Sequence, residues 1–197
     1  MMIRFRLYDI EFCFRFGFFV IPAIILCLEN GSCFFPALLA YFIHESGHII
    51  AAFFCGMHIS SIRFGALGIH MLGDIQSVSF LRRAAVSLAG PIANLLACIF
   101  LLPFGTAWYA AEALLFVFHI LPAVPLDGGS ALYCVLCSGF NEKTAAGWCT
   151  GISAITAFLL GVLGFSLLIQ SNGNFTLLLA AVYIMFYIFQ KQRGDLC

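Results

Sequence analysis

The sequence predicts an all-α polytopic membrane protein with about six transmembrane helices and a short β-hairpin or re-entrant segment between the second and third. Three observations lead to this class. Of the 197 residues, 63% are hydrophobic and 9% are charged, whereas soluble domains carry roughly a quarter charged residues. Apolar stretches alternate with short polar turns, and the basic residues all fall on one side of the resulting arrangement. Polar side chains are too few to cover a soluble globule, so the lipid bilayer must act as the solvent.

About six apolar stretches are near the roughly 20 residues that a helix needs to cross hydrocarbon. Turn-forming sequences separate several of them, such as Glu29-Asn30-Gly31-Ser32 and Ser171-Asn172-Gly173-Asn174. The predicted spans are Cys13–Leu28, Phe34–Cys55, Ala84–Pro103, Trp108–Pro125, Trp148–Gln170 and Phe175–Gln190.

The distribution of charge supports this topology independently. All nine lysine and arginine residues lie at one membrane face when the spans are assigned in this way. The positive-inside rule makes that face cytosolic, so both termini are expected in the cytosol. The formal net charge is zero and no basic cluster is present, which argues against a nucleic-acid partner.

The segment Gly56–Leu81 differs from the spans around it. Glycines interrupt short stretches of β-forming residues, such as Ser60–Phe64 and Ile75–Phe80. This pattern predicts one or two hairpins at the cytosolic face, with a re-entrant position between helices as one arrangement. A plain interfacial loop is the alternative.

The sequence His44-Glu45-Ser46-Gly47-His48 lies within an apolar run. Residues four apart share one face of a helix, so both imidazoles can reach one metal ion while Glu45 stays available as a general base. Ionisable groups are costly in hydrocarbon, and their clustering indicates a functional site. The alternative, two polar residues hydrogen-bonded inside a bundle, does not explain their spacing.

A catalytic zinc ion needs a third protein ligand and an open position for water. The candidates for the third ligand are Asp127, His119, His58 and His70. Asp127 is favoured because Pro122 and Pro125 break the helix before it, and irregular backbone at membrane depth needs a protein cavity to receive it. As an alternative, Asp127 caps a cytosolic helix that begins near Gly129.

Three motifs in this order resemble the site-2 protease family of zinc-dependent intramembrane proteases. They are His44–His48, Gly90-Pro91-Ile92-Ala93-Asn94 and Leu126-Asp127-Gly128. The chain is most similar to the small bacterial branch that includes a sporulation protease, which activates a sigma factor. The resemblance implies a location in the bacterial cytoplasmic membrane.

The resemblance also assigns roles to residues. It implies that His44, His48 and Asp127 bind Zn²⁺, that Glu45 is the catalytic residue, and that Asn94 lines the active site. Without the resemblance, Asn94 is equally well explained as a polar residue that packs one helix against another.

The chain departs from the family pattern in two places. His119 stands where the family usually has an asparagine, and it either steadies the substrate or the oxyanion or competes for the metal. Ser130 replaces the usual arginine. We expect one catalytic core domain over residues 1–197, without a CBS or PDZ domain.

These expectations combine into one functional hypothesis. The chain is a zinc-dependent endopeptidase that cleaves a transmembrane or membrane-associated protein, with a pro-sigma factor or an anti-sigma factor as candidate substrates. A regulatory membrane protein is a candidate partner. One alternative is a catalytically inactive scaffold that binds a partner helix. Another is a divalent-metal transporter, although the sequence shows no second copy of either metal-binding motif.

Overall fold

Helices and strands form most of the chain that the computed structural model describes, which comprises residues 2–7, 10–15, 33–57, 59–65, 68–73, 78–170 and 175–194. The helices are α1 (Phe34–Phe54), α2 (Phe80–Leu101), α3 (Thr106–His119), α4 (Asp127–Cys137), α5 (Glu142–Gln170) and α6 (Thr176–Gly194). The strands are β1 (Met2–Leu7), β2 (Ile10–Arg15), β3 (Ile59–Gly65) and β4 (Gly68–Gly73). The chain divides into two units, Met1–Val117 and Phe118–Cys197.

The strands of the first unit form one sheet in the order β1-β2-β3-β4. Strands β1 and β2 are antiparallel, β2 and β3 are parallel, and β3 and β4 are antiparallel. The pair β3–β4 lies within the segment for which the sequence predicts β structure. Its predicted position between helices in the bilayer stays a prediction.

The predicted start of the first span at Cys13 is wrong. Cys13 lies in β2, where it is the partner of Arg4 in β1 and of Arg63 in β3. The alternation of basic or acidic with aromatic residues in Arg4-Phe5-Arg6 and Glu11-Phe12 is typical of a strand. Pairing along the sheet therefore outweighs the apolar character of this stretch. Residues 16–28 of the predicted span lie outside the described residues.

Three of the described helical segments are long and apolar enough to cross a membrane, Phe34–Phe54, Phe80–Phe104 and Glu142–Gln170. They cover the second, third and fifth predicted spans. The apolar part of α6, Thr176–Gln190, is shorter. Within the predicted fourth span, Trp108–Pro125, α3 ends at His119 and the chain before Asp127 is irregular, as Pro122 and Pro125 predict. The total of about six spans stays a prediction.

Large apolar side chains cover the outside of these helices. Phe42, Phe53, Phe100 and Leu114 are each more than half exposed. Apolar surface of this extent is unfavourable in water and is expected of helices that face lipid.

Close packing of α1 on α2 organises the first unit around the His-Glu-x-x-His motif. A side chain at Gly47 would bring its Cβ to 2.7 Å from the Ala89 carbonyl oxygen and to 2.9 Å from Ala93 Cβ. The glycine between Glu45 and His48 therefore allows the two helix backbones to approach each other.

The second unit has its own apolar core, which α5, α6 and the chain before α4 share. Ala123, Leu126, Ala157, Leu160 and Ile184 are buried in it. This core anchors the Leu-Asp-Gly sequence.

Candidate metal centre

His44 and His48 form a buried pair on α1. Their side chains are 2% and 8% exposed, and their rings meet edge to face with centroids 4.8 Å apart. The two Nε2 atoms face each other at 3.2 Å. The helical spacing of the motif thus brings the same nitrogen of both rings to one point.

The hydrogen bonds at the opposite ring nitrogens determine the tautomers. His48 Nδ1 lies 2.8 Å from the Val86 carbonyl oxygen, which can only accept a hydrogen bond. His48 therefore carries its proton on Nδ1. In the neutral ring, Nε2 then presents a lone pair.

The hydrogen bonds of Asn94 determine the same tautomer for His44. The Asn94 amide nitrogen donates to the Ala40 carbonyl oxygen at 2.9 Å and to Glu112 Oε2 at 2.5 Å, which uses both of its protons. Asn94 Oδ1 accepts a hydrogen bond from His44 Nδ1 at 2.6 Å. The proton of His44 is therefore on Nδ1, and its Nε2 also presents a lone pair.

Two lone pairs that face each other repel unless a cation lies between them. Two nitrogen ligands at about 2.05 Å from a tetrahedral zinc ion are about 3.3 Å apart, close to the 3.2 Å between these atoms. Each ligand nitrogen is also fixed by a hydrogen bond at the other side of its ring, as is usual for metal-binding histidines. The pair therefore fits a zinc ion in distance, tautomer and orientation.

The Gly-Pro part of the second motif gives the His48 ring its space. A Cβ atom at Gly90 would overlap the His48 ring at Nε2, Cε1 and Cδ2. Pro91 is inside α2 and buried. Position 90 must therefore be glycine, because any side chain there would overlap the His48 imidazole.

Glu45 lies on α1 between the two histidines and is 8% exposed. Its carboxylate has a hydrogen bond with the side chain of Tyr41, one helical turn earlier. This contact holds the carboxylate that the sequence predicts to be the general base.

In the second unit, Asp127 is paired with His119. Asp127 Oδ2 lies 2.6 Å from His119 Nδ1, and both side chains are partly buried. Asp127 is the first residue of α4, and Leu126 occupies the N-cap position without a side-chain cap hydrogen bond. The helix therefore begins at Asp127 itself, two residues before the start near Gly129 that the cap alternative assumes.

The two glycines after Asp127 let α4 start directly against the preceding loop. A Cβ at Gly128 would overlap the carbonyl groups of Ile120 and Leu121, and one at Gly129 would overlap the backbone at Ala123. The loop is tied to α5 because Ser153 Oγ accepts a hydrogen bond from the Val124 amide at 3.0 Å. These contacts fix the position of the Asp127 backbone at the start of α4.

The remaining predicted residues have other positions. Asn94 is fully buried with both amide protons in use, and it positions His44 by accepting a hydrogen bond from it; its place in the lining of the active site stays a prediction. Among the other ligand candidates, His70 lies in β4 and His58 lies outside the described residues. Among the described residues, the candidate metal ligands are His44 and His48 in the first unit and Asp127 in the second.

Sequence reasoning missed Glu112. This residue is 0% exposed in α3 and contacts Asn94. The signal was present, because Glu112 is an isolated carboxylate within the apolar stretch Trp108–Pro125. Glu112 belongs to none of the three motifs, so motif patterns alone do not predict its contact with Asn94.

Comparisons with known proteins place the fold. No family model matches this chain, and no curated protein matches it either. Among solved structures, the chain is similar to a site-2 protease from Methanocaldococcus jannaschii, with 21% sequence identity and a TM-score of 0.66. The match covers 96% of this chain and 94% of that one. The chain therefore has the fold of a site-2 protease.

Proposed function

We propose that this protein is a zinc-dependent intramembrane endopeptidase. The observation that carries the proposal is the pair of buried Nε2 atoms, 3.2 Å apart, with both protons held on the opposite ring nitrogens. The site-2 protease fold and the apolar helices support the same conclusion.

In this proposal His44, His48 and Asp127 are the zinc ligands. Both imidazoles are oriented by hydrogen bonds at Nδ1, and Asp127 is oriented by His119. Carboxylate and imidazole ligands with one open position are the donor set of catalytic zinc sites. His119 is thus a positioning residue for Asp127, which accounts for a histidine where the family usually has an asparagine.

The bound zinc ion would supply Lewis-acid chemistry, which lowers the pKa of water and polarises a carbonyl group. Glu45 accepts a proton from the attacking water and transfers it to the leaving amine. Its hydrogen bond with Tyr41 keeps the carboxylate in one orientation. Burial of Glu45 and of both histidines keeps bulk water away from the reacting groups.

The substrate in this proposal is a transmembrane or membrane-associated protein whose cleaved segment is unwound. A helix has its carbonyl groups engaged in hydrogen bonds, so an extended segment is needed for attack. Strand β4 is at an edge of the sheet, where an extended peptide can be added by β-augmentation. A pro-sigma factor or an anti-sigma factor is a candidate, as the resemblance to sporulation proteases suggests.

Co-expression tests this function. Candidate membrane-tethered transcription factors are expressed with the native chain, with Glu45→Gln, and with Glu142→Gln as a control at an exposed glutamate in the first turn of α5. The native chain and the control should give a cleavage product. Glu45→Gln should reduce cleavage about 100-fold or more, since a general base contributes roughly 10²–10⁴ in rate.

The zinc content of purified Glu45→Gln should stay near that of the native chain. Cleavage that persists in zinc-loaded Glu45→Gln would contradict the assigned base. Cleavage by neither protein, with zinc bound in both, would favour the inactive scaffold. Zinc flux into proteoliposomes would favour the transporter.

A further inference from the structure

Glu112 is a carboxylate that the proposed chemistry does not use. It is fully buried in α3, and its Oε1 is a buried side-chain oxygen without a hydrogen-bond partner among the described residues. Burying a carboxyl group in an apolar environment is unfavourable unless its contacts compensate. Polar groups kept at such positions in membrane proteins usually have a function.

The contact of Glu112 decides which way the Asn94 amide faces. With the amide as it stands, its two protons meet two acceptors, the Ala40 carbonyl oxygen and Glu112 Oε2. The reversed amide would place its oxygen against those two acceptors and its protons against His44. The two acceptors together therefore fix Asn94 Oδ1 toward His44 Nδ1.

We infer that Glu112 is a positioning residue that acts through Asn94 on His44. By holding the amide, Glu112 keeps the His44 proton on Nδ1 and the lone pair of Nε2 directed at His48. His48 does not depend on such a relay, because the backbone carbonyl of Val86 fixes its ring. This inference rests on the proposed metal site.

The role is specific to one feature of Glu112, an oxygen that accepts a hydrogen bond from Asn94. Glutamine at position 112 keeps an acceptor oxygen at the same place, whereas methionine has a similar length and no such oxygen. The pair of variants Glu112→Gln and Glu112→Met therefore separates the acceptor role from simple filling of space. Glu112→Gln is therefore the matched control for Glu112→Met.

Zinc affinity of the purified full-length chain in detergent is measured by competition with a fluorescent chelator. Glu112→Met should weaken zinc binding about 10–100-fold, the usual effect of losing a residue that orients a metal ligand. Glu112→Gln should stay close to the native affinity. Affinity of Glu112→Met equal to native would overturn the inference, and so would equal losses for Glu112→Gln and Glu112→Met.

A double-mutant cycle tests whether the effect passes through Asn94. Asn94→Ala should weaken zinc binding to a similar degree, and Asn94→Ala/Glu112→Met should be no weaker than Asn94→Ala alone. Losses that multiply in the double variant would overturn the relay. Cobalt-substituted samples give a second readout, because displacement of His44 changes the visible absorption of the ion.

Two sets of controls distinguish a specific effect of Glu112 from loss of folding and from absence of the proposed metal site. Thermal unfolding and gel filtration of the metal-free variants report the fold, and Glu112→Leu replaces Glu112→Met if the latter does not fold. Zinc binding that is unaffected by His44→Ala and His48→Ala would overturn the metal site and the inference with it. Native zinc binding that requires both histidines but not the Glu112 acceptor would overturn the inference alone.

Discussion

The imidazole of His48 occupies the space that a side chain at position 90 would fill. The Gly90 backbone on α2 therefore lies directly against the ring, while Val86, one turn earlier on the same helix, accepts the hydrogen bond from its Nδ1. Residues of α2 thus set the space and the orientation of His48, a proposed ligand that lies on α1. Through this contact, the Gly-Pro motif acts on one of the proposed metal ligands.

Gly90→Ala should weaken zinc binding and cleavage together. The added methyl group overlaps the ring, and overpacking of this kind costs about 1–3 kcal/mol, which corresponds to about 5- to 150-fold in affinity. Gly151→Ala in α5 is the matched control, because no atom lies within 4 Å of the added Cβ. Zinc titrations of both variants check the prediction. Native affinity in Gly90→Ala would contradict the contact with His48.

Asp127→Ala should reduce the bound zinc, because the proposed site loses its only carboxylate ligand. His119→Ala should keep the zinc stoichiometry and weaken the affinity about tenfold or more, since it removes a partner that orients the ligand. Metal analysis of the purified proteins and chelator competition measure both effects. If zinc remains in Asp127→Ala and is lost in His119→Ala, His119 is the third ligand.

Removal of zinc should abolish cleavage and lower the thermal stability of the protein. Zinc at about 1,000 times its Kd stabilises a folded site by about 4 kcal/mol, so the unfolding temperature should rise when zinc is restored. Zinc should restore cleavage and magnesium should not, because magnesium prefers oxygen ligands in octahedral geometry. The variant His44→Ala should show no zinc-dependent change in unfolding temperature. Equal stabilisation of that variant would place the zinc elsewhere.

Both termini should be in the cytosol. Fluorescent-protein fusions at each end should fluoresce, and an alkaline phosphatase fusion after Gly105, between the third and fourth predicted spans, should be active outside the cytosol. The reason is the restriction of all nine basic residues to one face of the predicted topology. An active phosphatase at the C-terminus would contradict an even number of spans.

The membrane-capable helices and the histidine motif could be predicted because both depend on residues that are close in sequence. Apolar length predicts α1, α2 and α5, and one helical turn between His44 and His48 is enough to predict a shared face. The strands β1 and β2 were not predicted, because their stability comes from pairing with each other and with β3 far along the chain. The irregular chain before Asp127 follows from Pro122 and Pro125, whereas its close packing against Gly128 and Gly129 is visible only in the tertiary structure.

The sequence by itself determined that the chain is apolar enough to require a membrane and that His44 and His48 share one helical face, since composition and spacing are local properties. The tertiary structure alone decided which ring nitrogen of each histidine carries the proton and gave Asn94 a positioning role. It also placed Glu112, which belongs to none of the three motifs, in contact with Asn94. The physical reason is that a tautomer is set by the hydrogen-bond partner at the far side of the ring. Val86 and Asn94 reach that position, and Glu112 reaches Asn94, only when α1, α2 and α3 pack within the first unit.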